Sequence, residues 1–392
     1  MKKIFIMNLG TTSFKFKLYS FSLEEQQVLA SGEIESVGAP ESAYELLLGD
    51  QQKEAGKTPI PDHGTGFAFC VDALQKSGIL KDLKDLDAVG YKAVHGGNLS
   101  GTLMVDDALL AEMERVSPLA PAHNPIYLKA IRDIRDRYPA LTQIVRFETS
   151  FHGTIPDCRT TYGVPYQWRE EWGIRKYGFH GSSHEYIAEK MQKLCPDAKR
   201  VISCHLGGSS SICAIKEGKS IATTMGATVQ SGLFNNNRVG DFEVFCLPML
   251  MEHYDGSLEK VLKILAGQSG LLGLSGVSND LRLVFEAMDK GNQQARLAVD
   301  TLVDNIVGYI GMYTAYLGGL DALVFTGGIG LNSDRIRKMV CARFGYMGLE
   351  LDEEKNTAAS TEKISSVRSS VSVFRIKTDE ESVVAKNVYS LL

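Results

Sequence analysis

The chain has 392 residues, of which 44% are hydrophobic and 23% are charged. This composition is typical of soluble globular proteins and excludes a disordered or fibrous chain. The length exceeds what one hydrophobic core usually supports, so we expect two domains. The formal net charge of −5 lacks the basic excess that binding to a nucleic-acid backbone requires, so nucleic acid is not an expected partner.

The cysteines and the hydrophobic runs predict a cytoplasmic protein that has no membrane partner. The seven cysteines are odd in number and show no Cys-x-x-Cys or Cys/His ligand spacing, which favours reduced, mostly buried thiols. The apolar run before Asn8 is too short for a signal peptide. The most apolar stretch, 302–325, is interrupted by Asp304, Asn305 and Asp321, so it does not predict a membrane span.

The first predicted elements are two strands joined by a polar turn. Apolar residues over 4–19 flank the turn 8–13, and the segment 201–215 repeats this pattern around the turn 205–211. Superposing Asn8 on the first residue of the second turn aligns a Leu-Gly pair, at an offset of about half the chain. Two such hairpins predict a duplicated domain whose turns face each other across a cleft. That cleft would hold the site.

Between the two hairpins the sequence predicts a mixed α/β region. Extended apolar runs alternate there with segments of helical periodicity, and a Gly-Gly pair follows the first run. The predicted elements are a strand at 86–94, helices at 107–115 and 126–137, and a strand at 143–147.

The second half contains the longest predicted helix, from about residue 292 to residue 317. Gly318-Gly319 is expected to end it, and the strand 322–325 then runs into the glycine turn 326–332. A final strand and helix are predicted within 372–392. The residues predicted on one face of the long helix are Ala298, Leu302, Ile306, Tyr309, Tyr313 and Tyr316. The tyrosines of this set are expected to be packing residues, as are Trp168 and Trp172.

Three glycine-rich turns follow apolar strands, at 8–13, 205–211 and 326–332. Their backbone N–H groups are not covered by side chains, which suits the binding of phosphate oxygens. None has the spacing of a P-loop or of a dinucleotide fingerprint. One such turn would more often simply join two strands, but the three together favour a phosphate site.

The sequence also contains cationic and imidazole side chains that would stabilise charge on a phosphoryl group in the transition state of its transfer. Glu148, Asp241 and Glu380 could hold Mg²⁺ or its waters, because hard cations prefer carboxylate oxygen. The cationic and imidazole candidates are Lys15, Lys92, His95, His123, His180, His205 and Arg238. The remaining histidines are interpreted as structural residues: His63, His152, His184 and His253.

Two motifs resemble signatures of the acetate kinase family. Residues 8–15, Asn-Leu-Gly-Thr-Thr-Ser-Phe-Lys, resemble the opening signature, and residues 177–184, Tyr-Gly-Phe-His-Gly-Ser-Ser-His, are similar to the second. Further matching segments follow in order, so the resemblance extends over nearly the whole chain. They lie at 94–97, 120–125, 147–152, 269–278 and 378–381.

This resemblance implies a duplicated two-domain α/β fold of the actin-like (ribonuclease H-like) superfamily, with a catalytic cleft between the domains. The expected N-terminal domain is 1–149 with the helix 382–392, and the C-terminal nucleotide-binding domain is 150–381. The implied reaction is reversible transfer of the ATP γ-phosphoryl group to a short-chain carboxylate, giving an acyl phosphate and ADP. Mg²⁺, or Mn²⁺ in its place, would be the cofactor, and a homodimer the assembly.

The resemblance also implies roles for individual residues. The implied catalytic residues are Glu148, His180, Arg238 and Lys92. The acid would contact Lys92, Val94, Ala122, His123, Phe179 and Val229. The nucleotide would contact Lys15, His205, Leu206, Gly207, Gly208, Ser209, Asp280, Leu281, Arg282, Gly328, Ile329, Gly330, Leu331 and Asn332. The implied metal ligands are Asn8 and Glu380.

Several positions depart from the family pattern. Lys92 stands where arginine is usual and Glu148 where aspartate is usual, so a bidentate clamp and a catalytic carboxylate have both changed. Ala122 stands in place of leucine and Val229 in place of proline, and the smaller side chain of Ala122 suggests more room for the acid. The acid is therefore acetate, propionate, butyrate or a more polar acid.

Two alternatives to an ATP-dependent kinase stay open. Gly208-Ser209 replaces the usual Asn-Gly, and Leu331 replaces a glutamate, which leaves pyrophosphate as an alternative donor. The changes at Lys92 and Glu148 leave a second alternative, a nucleotide-binding regulatory protein on the same scaffold without acyl transfer.

Overall fold

The computed structural model describes residues 1–22, 25–49, 52–358 and 361–392. These residues form two compact units. Unit 1 consists of Met1–Ser150 and Asp379–Leu392, and unit 2 of Phe151–Thr378. Within the described residues, no helix combines the length and the apolar character that crossing a bilayer requires.

The strands are numbered in chain order: β1 Lys2–Leu9, β2 Ser13–Phe21, β3 Gln26–Glu35, β4 Ser42–Leu48, β5 Gln52–Thr58, β6 Ala88–Ala93, β7 Thr102–Met104, β8 Gln143–Phe147, β9 Arg200–His205, β10 Ser211–Lys216, β11 Lys219–Thr223, β12 Ala322–Thr326 and β13 Ser372–Arg375. The helices are α1 His63–Lys76, α2 Asp107–Arg115, α3 Asn124–Arg137, α4 Asp157–Thr160, α5 Tyr166–Trp172, α6 Gly181–Leu194, α7 Leu247–His253, α8 Leu258–Gly267, α9 Gly270–Ser275, α10 Leu281–Asp289, α11 Gln293–Leu317, α12 Gly327–Asn332, α13 Asp334–Cys341, α14 Glu353–Thr357 and α15 Glu380–Tyr389.

The sheets of the two units share a strand pattern. The order is β5-β4-β3-β2-β1-β6-β8-β7 in unit 1 and β11-β10-β9-β12-β13 in unit 2. In each sheet an antiparallel hairpin, β1-β2 or β9-β10, is followed by a strand, β6 or β12, that pairs in parallel with the first strand of the hairpin. The five strands β3-β2-β1-β6-β8 thus match β11-β10-β9-β12-β13. This match confirms the duplication that the two hairpins predict.

The central strands are buried on both faces because helices cover both sides of each sheet. In unit 1, Ile4 of β1 packs in one cluster with Val388 of α15, while the ring of Phe5 points to the other side and lies edge-on to Phe67 of α1 at 5.1 Å. Unit 2 repeats the arrangement with α11 on one side of its sheet and α6 on the other. Covered parallel strands of this kind read as continuous apolar runs, as seen in the sequence.

The long helix α11 confirms the predicted one, apart from one residue of its apolar face. The Asn292 side chain caps the start, and Gly318, with φ of 73°, ends the helix in the left-handed region that favours glycine. Tyr313 is buried, but Tyr316 is 41% exposed, and the Arg159 guanidinium lies 4.3 Å from its ring centre. Tyr316 therefore packs against the Arg159 guanidinium and the Tyr313 ring at the surface rather than inside the core.

Two further expectations differ from the structure. Trp168 and Trp172 are exposed rather than packed in a core, because they stack on each other, at 5.5 Å between ring centres, on the short helix α5, which has no buried residue. The predicted glycine turn at 326–332 is mostly the short helix α12, which starts directly after β12. The cysteines are free and mostly buried, as predicted, and only Cys158 and Cys246 are exposed.

Candidate active site

In unit 1 the candidate residues lie where three parallel strands end. Asn8 is near the end of β1, Lys92 is near the end of β6, and Glu148 directly follows β8. The parallel registers β1–β6 and β6–β8 bring these ends to the same edge of the sheet. The first residue of α15 reaches this edge, because Lys92 Nζ lies 2.5 Å from Glu380 Oε2.

An acidic segment, Asp379-Glu380-Glu381, provides partners for the polar side chains of the strands. Asn8 Nδ2 donates a hydrogen bond to Glu381 Oε1 at 3.0 Å. Lys17 Nζ lies 2.6 Å from Asp379 Oδ1 and 3.6 Å from Glu381 Oε2. Of these residues the sequence analysis singled out only Asn8 and Glu380. The signal it missed is a run of three carboxylates, whose charge is complementary to the basic residues of β2.

Lys92 is the most enclosed cation of this group, with a side chain that is only 14% exposed. Burial alone would lower the pKa of Lys92, but the carboxylates of Glu148, Glu380 and Glu381 outweigh burial and raise that pKa. The lysine is therefore charged at neutral pH. The carboxylates around it outnumber it, so the group as a whole favours a further cation.

The oxygen donors of this group fit a magnesium ion. Carboxylates of Glu380 and Glu148 and the amide oxygen of Asn8 are the ligand type that Mg²⁺ prefers, and Mg²⁺ is usually held by one or two carboxylates together with waters and substrate phosphates. In the part of the chain that the structure describes, no cluster of three or more His, Cys, Asp or Glu side chains is placed to hold a metal ion.

Asp241, the other carboxylate considered as a magnesium ligand, belongs to unit 2. Its Oδ1 accepts a hydrogen bond from the backbone N–H of Gly232 at 2.8 Å, and its Oδ2 is bonded to the hydroxyl of Tyr309. Both oxygens are thus used to fix the loop between β11 and α7 to the long helix. The structure therefore gives Asp241 a structural role.

The candidates for the acid side are divided between the units. Val94, Ala122 and His123 belong to unit 1, and Phe179 and Val229 to unit 2. Ala122 is exposed and directly precedes His123, which lies at the start of α3. Phe179 is buried, and its carbonyl accepts a hydrogen bond from Nε2 of His152 at 2.9 Å. Because the Phe179 ring is buried directly before His180, it fixes the position of the His180 backbone.

In unit 2 two of the three glycine-rich segments are hydrogen-bonded to each other. The carbonyl of Leu206 accepts the N–H groups of Ile329 at 2.8 Å and Gly330 at 3.0 Å. Gly327 has φ of +75°, and a Cβ there would lie 2.5 Å from the Leu206 oxygen. Only glycine permits this close approach. The predicted phosphate contacts at 205–209 thus lie directly beside the predicted adenosine contacts at 328–332.

Arg238 lies against the first of these segments. Its Nη1 donates a hydrogen bond to Ser209 Oγ at 3.0 Å, and the N–H of Asn236 donates to the carbonyl of Gly208 at 3.4 Å. Burial lowers the pKa of Arg238, yet arginine is not deprotonated in proteins, so the guanidinium keeps its charge. Ser209, which stands where the family usually has glycine, therefore supplies a side-chain anchor for the predicted catalytic arginine.

His180 occupies an unusual backbone conformation at the start of α6. Its φ of 57° and ψ of 30° lie in the left-handed region, which is uncommon for residues other than glycine and often marks a functional position. Nδ1 of His180 is 2.9 Å from Ser211 Oγ, and its ring stacks on that of His205 with 4.3 Å between centres. The structure therefore brings two imidazoles together beside the segment 205–209.

The other nucleotide candidates make ion pairs on the surface of their own unit. Lys15 Nζ lies 2.7 Å from Glu33 Oε1, beside a cavity of about 580 Å³ that Glu381 also lines. At the start of α10, Arg282 lies 2.6 Å from Asp280 and lowers the pKa of that carboxyl to about 2. A nucleotide that binds Lys15 or Arg282 would either displace the carboxylate partner or bind beside it.

The sequence analysis missed the serines that bond to the histidines of unit 2. Ser211 contacts both His180 and His184, and Ser183 contacts His205 at 2.8 Å. His184 was interpreted as a satisfied structural residue, and it does bond through both ring nitrogens, but one of its partners is shared with His180. The available signal was the Ser-Ser-His run directly after His180-Gly181.

The chain is similar to known proteins over nearly its whole length. Residues 3–386 match the profile of the Acetokinase family. The chain is 38% identical to an acetate kinase of Halothermothrix orenii, covering 98% of both chains, and 38% identical to one of Bacillus cytotoxicus, covering 100% of this chain and 99% of the relative.

Solved structures give the same result. The crystal structure of Porphyromonas gingivalis acetate kinase matches with a TM-score of 0.89 and 35% identity over 100% of both chains. A propionate kinase from Francisella tularensis matches with a TM-score of 0.90 and 32% identity over 99% of both. The fold is thus the duplicated actin-like α/β fold. The chain belongs to the acetokinase family and is an ATP-dependent phosphotransferase that acts on a carboxyl group.

Proposed function

We propose that the chain transfers the γ-phosphoryl group of ATP reversibly to a short-chain carboxylate, forming an acyl phosphate and ADP. The observation that best supports this proposal is the arrangement in unit 2, where Arg238 and the stacked rings of His180 and His205 accompany two bonded glycine-rich segments. Backbone N–H groups, a guanidinium and imidazoles are the groups that stabilise charge on phosphoryl oxygens.

In this proposal unit 2 supplies the nucleotide side of the reaction. The backbone at 205–209 binds phosphates, and Asp280 and Arg282 together with the segment 328–332 bind the adenosine end. His180 and Arg238 then stabilise the charge that spreads over the equatorial oxygens of the phosphoryl group in the transition state. Arg238 is held for this role by Ser209.

Unit 1 supplies the charged residues of the acid side. The acid is ionised at neutral pH, so one of its oxygens can attack the γ-phosphorus while the bond to the ADP oxygen breaks, without a strong base. Lys92 would attract the acid carboxylate, and Glu148 would orient Lys92, whose charge it supports. Asn8 and Glu380 would hold Mg²⁺, or Mn²⁺ in its place. That ion, when bound, neutralises charge on the phosphate oxygens.

The identity of the acid depends on the apolar candidates. We propose acetate or a somewhat larger acid such as propionate or butyrate, because Ala122 presents only a methyl group beside His123. The similarity to a named propionate kinase as well as to acetate kinases supports this range. One extra methylene in a pocket changes discrimination by only about 10–200-fold, so several acids are expected to react.

We also propose a cytoplasmic homodimer with domains 1–149 plus 382–392 and 150–381. Seven free cysteines support a reducing compartment. A self-association surface is supported by exposed apolar side chains over 242–262, because monomers rarely expose so many together. They are Phe242, Val244, Phe245, Met249, Leu258 and Leu262. Light scattering of the protein and of a Phe245→Glu variant tests this, and a wild-type monomer would contradict it.

An acid panel tests the proposed activity. The protein is incubated with MgATP, hydroxylamine and one acid from acetate, propionate, butyrate and a hydroxy acid, and the hydroxamate is measured. We expect hydroxamate with at least one short acid, and none when ATP is replaced by pyrophosphate. If no acid exceeds the blank while a reference kinase does, and calorimetry still shows tight ATP binding, the chain is a nucleotide-binding protein without acyl transfer.

A further inference from the structure

A continuous chain of hydrogen bonds inside unit 2 ends at His180. Ser203 Oγ lies 2.9 Å from His184 Nδ1, His184 Nε2 lies 2.8 Å from Ser211 Oγ, and Ser211 Oγ lies 2.9 Å from His180 Nδ1. Ser203, His184 and Ser211 are each 0% exposed. Water therefore does not compete for these bonds. Each hydrogen of these side chains must find its acceptor within this series of hydrogen bonds.

The hydrogens of this chain can be placed in order, starting from Ser203. Within the described residues, His184 Nδ1 is the one hydrogen-bond partner of the Ser203 hydroxyl. Buried hydroxyl hydrogens are nearly always bonded, so Ser203 donates and His184 Nδ1 accepts. Burial, followed by the nearby rings of His152 and His205, lowers the pKa of His184 well below its usual value. The His184 ring is therefore neutral and carries its single hydrogen on Nε2.

The same reasoning fixes the second half of the chain. His184 Nε2–H donates to Ser211 Oγ, so the Ser211 hydroxyl hydrogen has one partner left, Nδ1 of His180. A hydrogen on His180 Nδ1 would leave Ser211 accepting from both rings with its own hydrogen unbonded. That arrangement is unfavourable, because a buried hydroxyl hydrogen without a partner loses its bond to water and gains none in return.

We propose that Ser203, His184 and Ser211 act as positioning residues that hold His180 as the neutral tautomer with its hydrogen on Nε2. The ring then donates one fixed hydrogen bond to a phosphoryl oxygen and does not depend on gaining a proton from solvent. A donor that is oriented before the reaction stabilises developing charge without reorganisation. The inference rests on the role proposed above for His180.

The neighbouring imidazole is held in the same way. Ser183 is 0% exposed, and its hydroxyl bonds to Nδ1 of His205 at 2.8 Å, so it donates there and directs the hydrogen of a neutral His205 to Nε2. The rings of His180 and His205 are stacked with 4.3 Å between centres. Two positive rings at this separation would repel each other, whereas two neutral rings would not.

The other titratable ring that faces this chain does not supply a charge. His152 lies 5.8 Å from His184 between ring centres. Its Nε2 donates to the carbonyl of Phe179 and its Nδ1 accepts from Ser220 Oγ at 2.9 Å. Burial lowers the pKa of His152 to about 4, so this ring is also neutral near pH 7.

The first test is nuclear magnetic resonance of the unmodified protein with ¹⁵N-labelled histidine. Nitrogen chemical shifts distinguish a hydrogen-bearing ring nitrogen from an accepting one, and a His180→Gln variant assigns the signals. We expect His180 with the hydrogen on Nε2 and no titration between about pH 8 and about pH 5.5, although an ordinary histidine titrates near about 6.5. A hydrogen on Nδ1, or ordinary titration, overturns the proposal whatever the enzyme activity is.

A matched pair of serine variants gives the second test. Ser211→Ala removes the hydroxyl that contacts His180, and Ser220→Ala removes an equally buried hydroxyl that contacts His152. We expect Ser211→Ala to make His180 titrate and to lower kcat about tenfold with little change in the KM for ATP. Ser220→Ala should lower stability but leave the His180 signals unchanged. Equal changes in the His180 signals of both variants would overturn the proposal.

Two substitutions of His184 separate positioning from packing. Gln can place its amide near the position of Nε2 and keep the bond to Ser211, whereas Asn can reach only the position of Nδ1 beside Ser203. We expect His184→Gln to keep the hydrogen of His180 on Nε2 and His184→Asn to lose this preference. Equal signals in the two variants mean that His184 only fills space. If the tautomer is as proposed but the acid panel is negative, the proposed function fails and this inference stands.

Discussion

The ammonium group of Lys92 interacts with three carboxylates, those of Glu148, Glu380 and Glu381. Its ammonium lies 2.5 Å from Glu380, and both side chains are largely enclosed, at 14% and 18% exposure. A lysine offers a point charge where arginine would offer a planar fork, so it can bind one carboxylate oxygen without fixing the second. If Lys92 binds the acid as proposed, this difference favours a site that accepts acids of different size.

The first residue-scale prediction concerns this ion pair. Lys92→Met leaves Glu380 largely buried without its cation, and we expect the free energy of unfolding to fall by about 3 kcal/mol, since breaking an enclosed pair costs about 3–5 kcal/mol. Urea unfolding measures the change. In a Glu380→Gln background the same substitution should cost less than half as much. An unchanged cost in that background would mean that the pair is not what stabilises Lys92.

The second residue-scale prediction concerns Arg238. We expect Arg238→Ala to lower kcat about 100-fold or more while the Kd for ATP changes only a few fold, because the role proposed for the guanidinium is to stabilise charge that develops in the transition state. Steady-state kinetics and calorimetry give the two values. Arg368→Ala is the control, because Arg368 is exposed and paired with Glu350. Equal losses in kcat and ATP affinity would contradict the role.

Sequence motifs predict which residues are candidates, but not which side chains support them. Lys92, His180 and Glu380 follow from motifs, and their catalytic or metal roles stay predictions. The contact between Asn8 and Glu381 joins residues 373 positions apart. Such contacts depend on strand register and on the return of the last helix to unit 1, which local sequence does not encode.

At the scale of elements, the segment from β12 to α12 depends on one glycine. A Cβ at Gly327 would lie 2.5 Å from the Leu206 carbonyl oxygen, and the φ of +75° disfavours other residues. We expect Gly327→Ala to raise the KM for ATP about tenfold and to cost about 1–3 kcal/mol of stability. Steady-state kinetics and thermal unfolding test this.

The control for Gly327 lies in α11. A Cβ added at Gly311 would meet no atom within 4 Å, and alanine is favoured over glycine inside a helix. Gly311→Ala should therefore raise stability by up to about 1 kcal/mol with an unchanged KM for ATP. If both alanine variants behave alike, the contact with Leu206 is not what constrains Gly327.

The central strands and the longest helix of the fold were predictable, whereas β3, β4, β5, β7, β11 and most of the shorter helices were not. The strand at 143–147 and the helix at 107–115 have the predicted bounds because their apolar periods are clear. The helix α12 was predicted as a turn, because its glycines have low helix propensity. Its N–H groups at Ile329 and Gly330 bond to Leu206, so a tertiary contact with the first segment fixes the backbone there.

At the scale of the whole molecule, buried neutral histidines predict acid sensitivity. Burial lowers the pKa of His152 to about 4, so between the unfolded value of about 6.5 and this value the unfolded chain binds more protons than the folded one. The contribution of neutral His152 to the free energy of unfolding is therefore fully present above about pH 6.5. It is lost as the pH falls towards about 4, by about 3 kcal/mol for this residue. His184 adds to the effect in the same direction.

Unfolding in urea at about pH 7 and about pH 5 measures this dependence. His253 is exposed, so a His253→Gln variant should keep the full difference between the two pH values, whereas His152→Gln should reduce it. Equal stability at both pH values would show that neither buried ring controls the acid limit.

The position of α15 determines the order in which the protein can mature on the ribosome. Residues 379–392 are translated after all of unit 2 but complete unit 1, where α15 covers Ile4 of β1 and supplies Glu380 to Lys92. A nascent chain can therefore finish the sheet of unit 2 while β1, made first, still lacks its covering helix. Until translation reaches that helix, this apolar face is a natural binding surface for molecular chaperones.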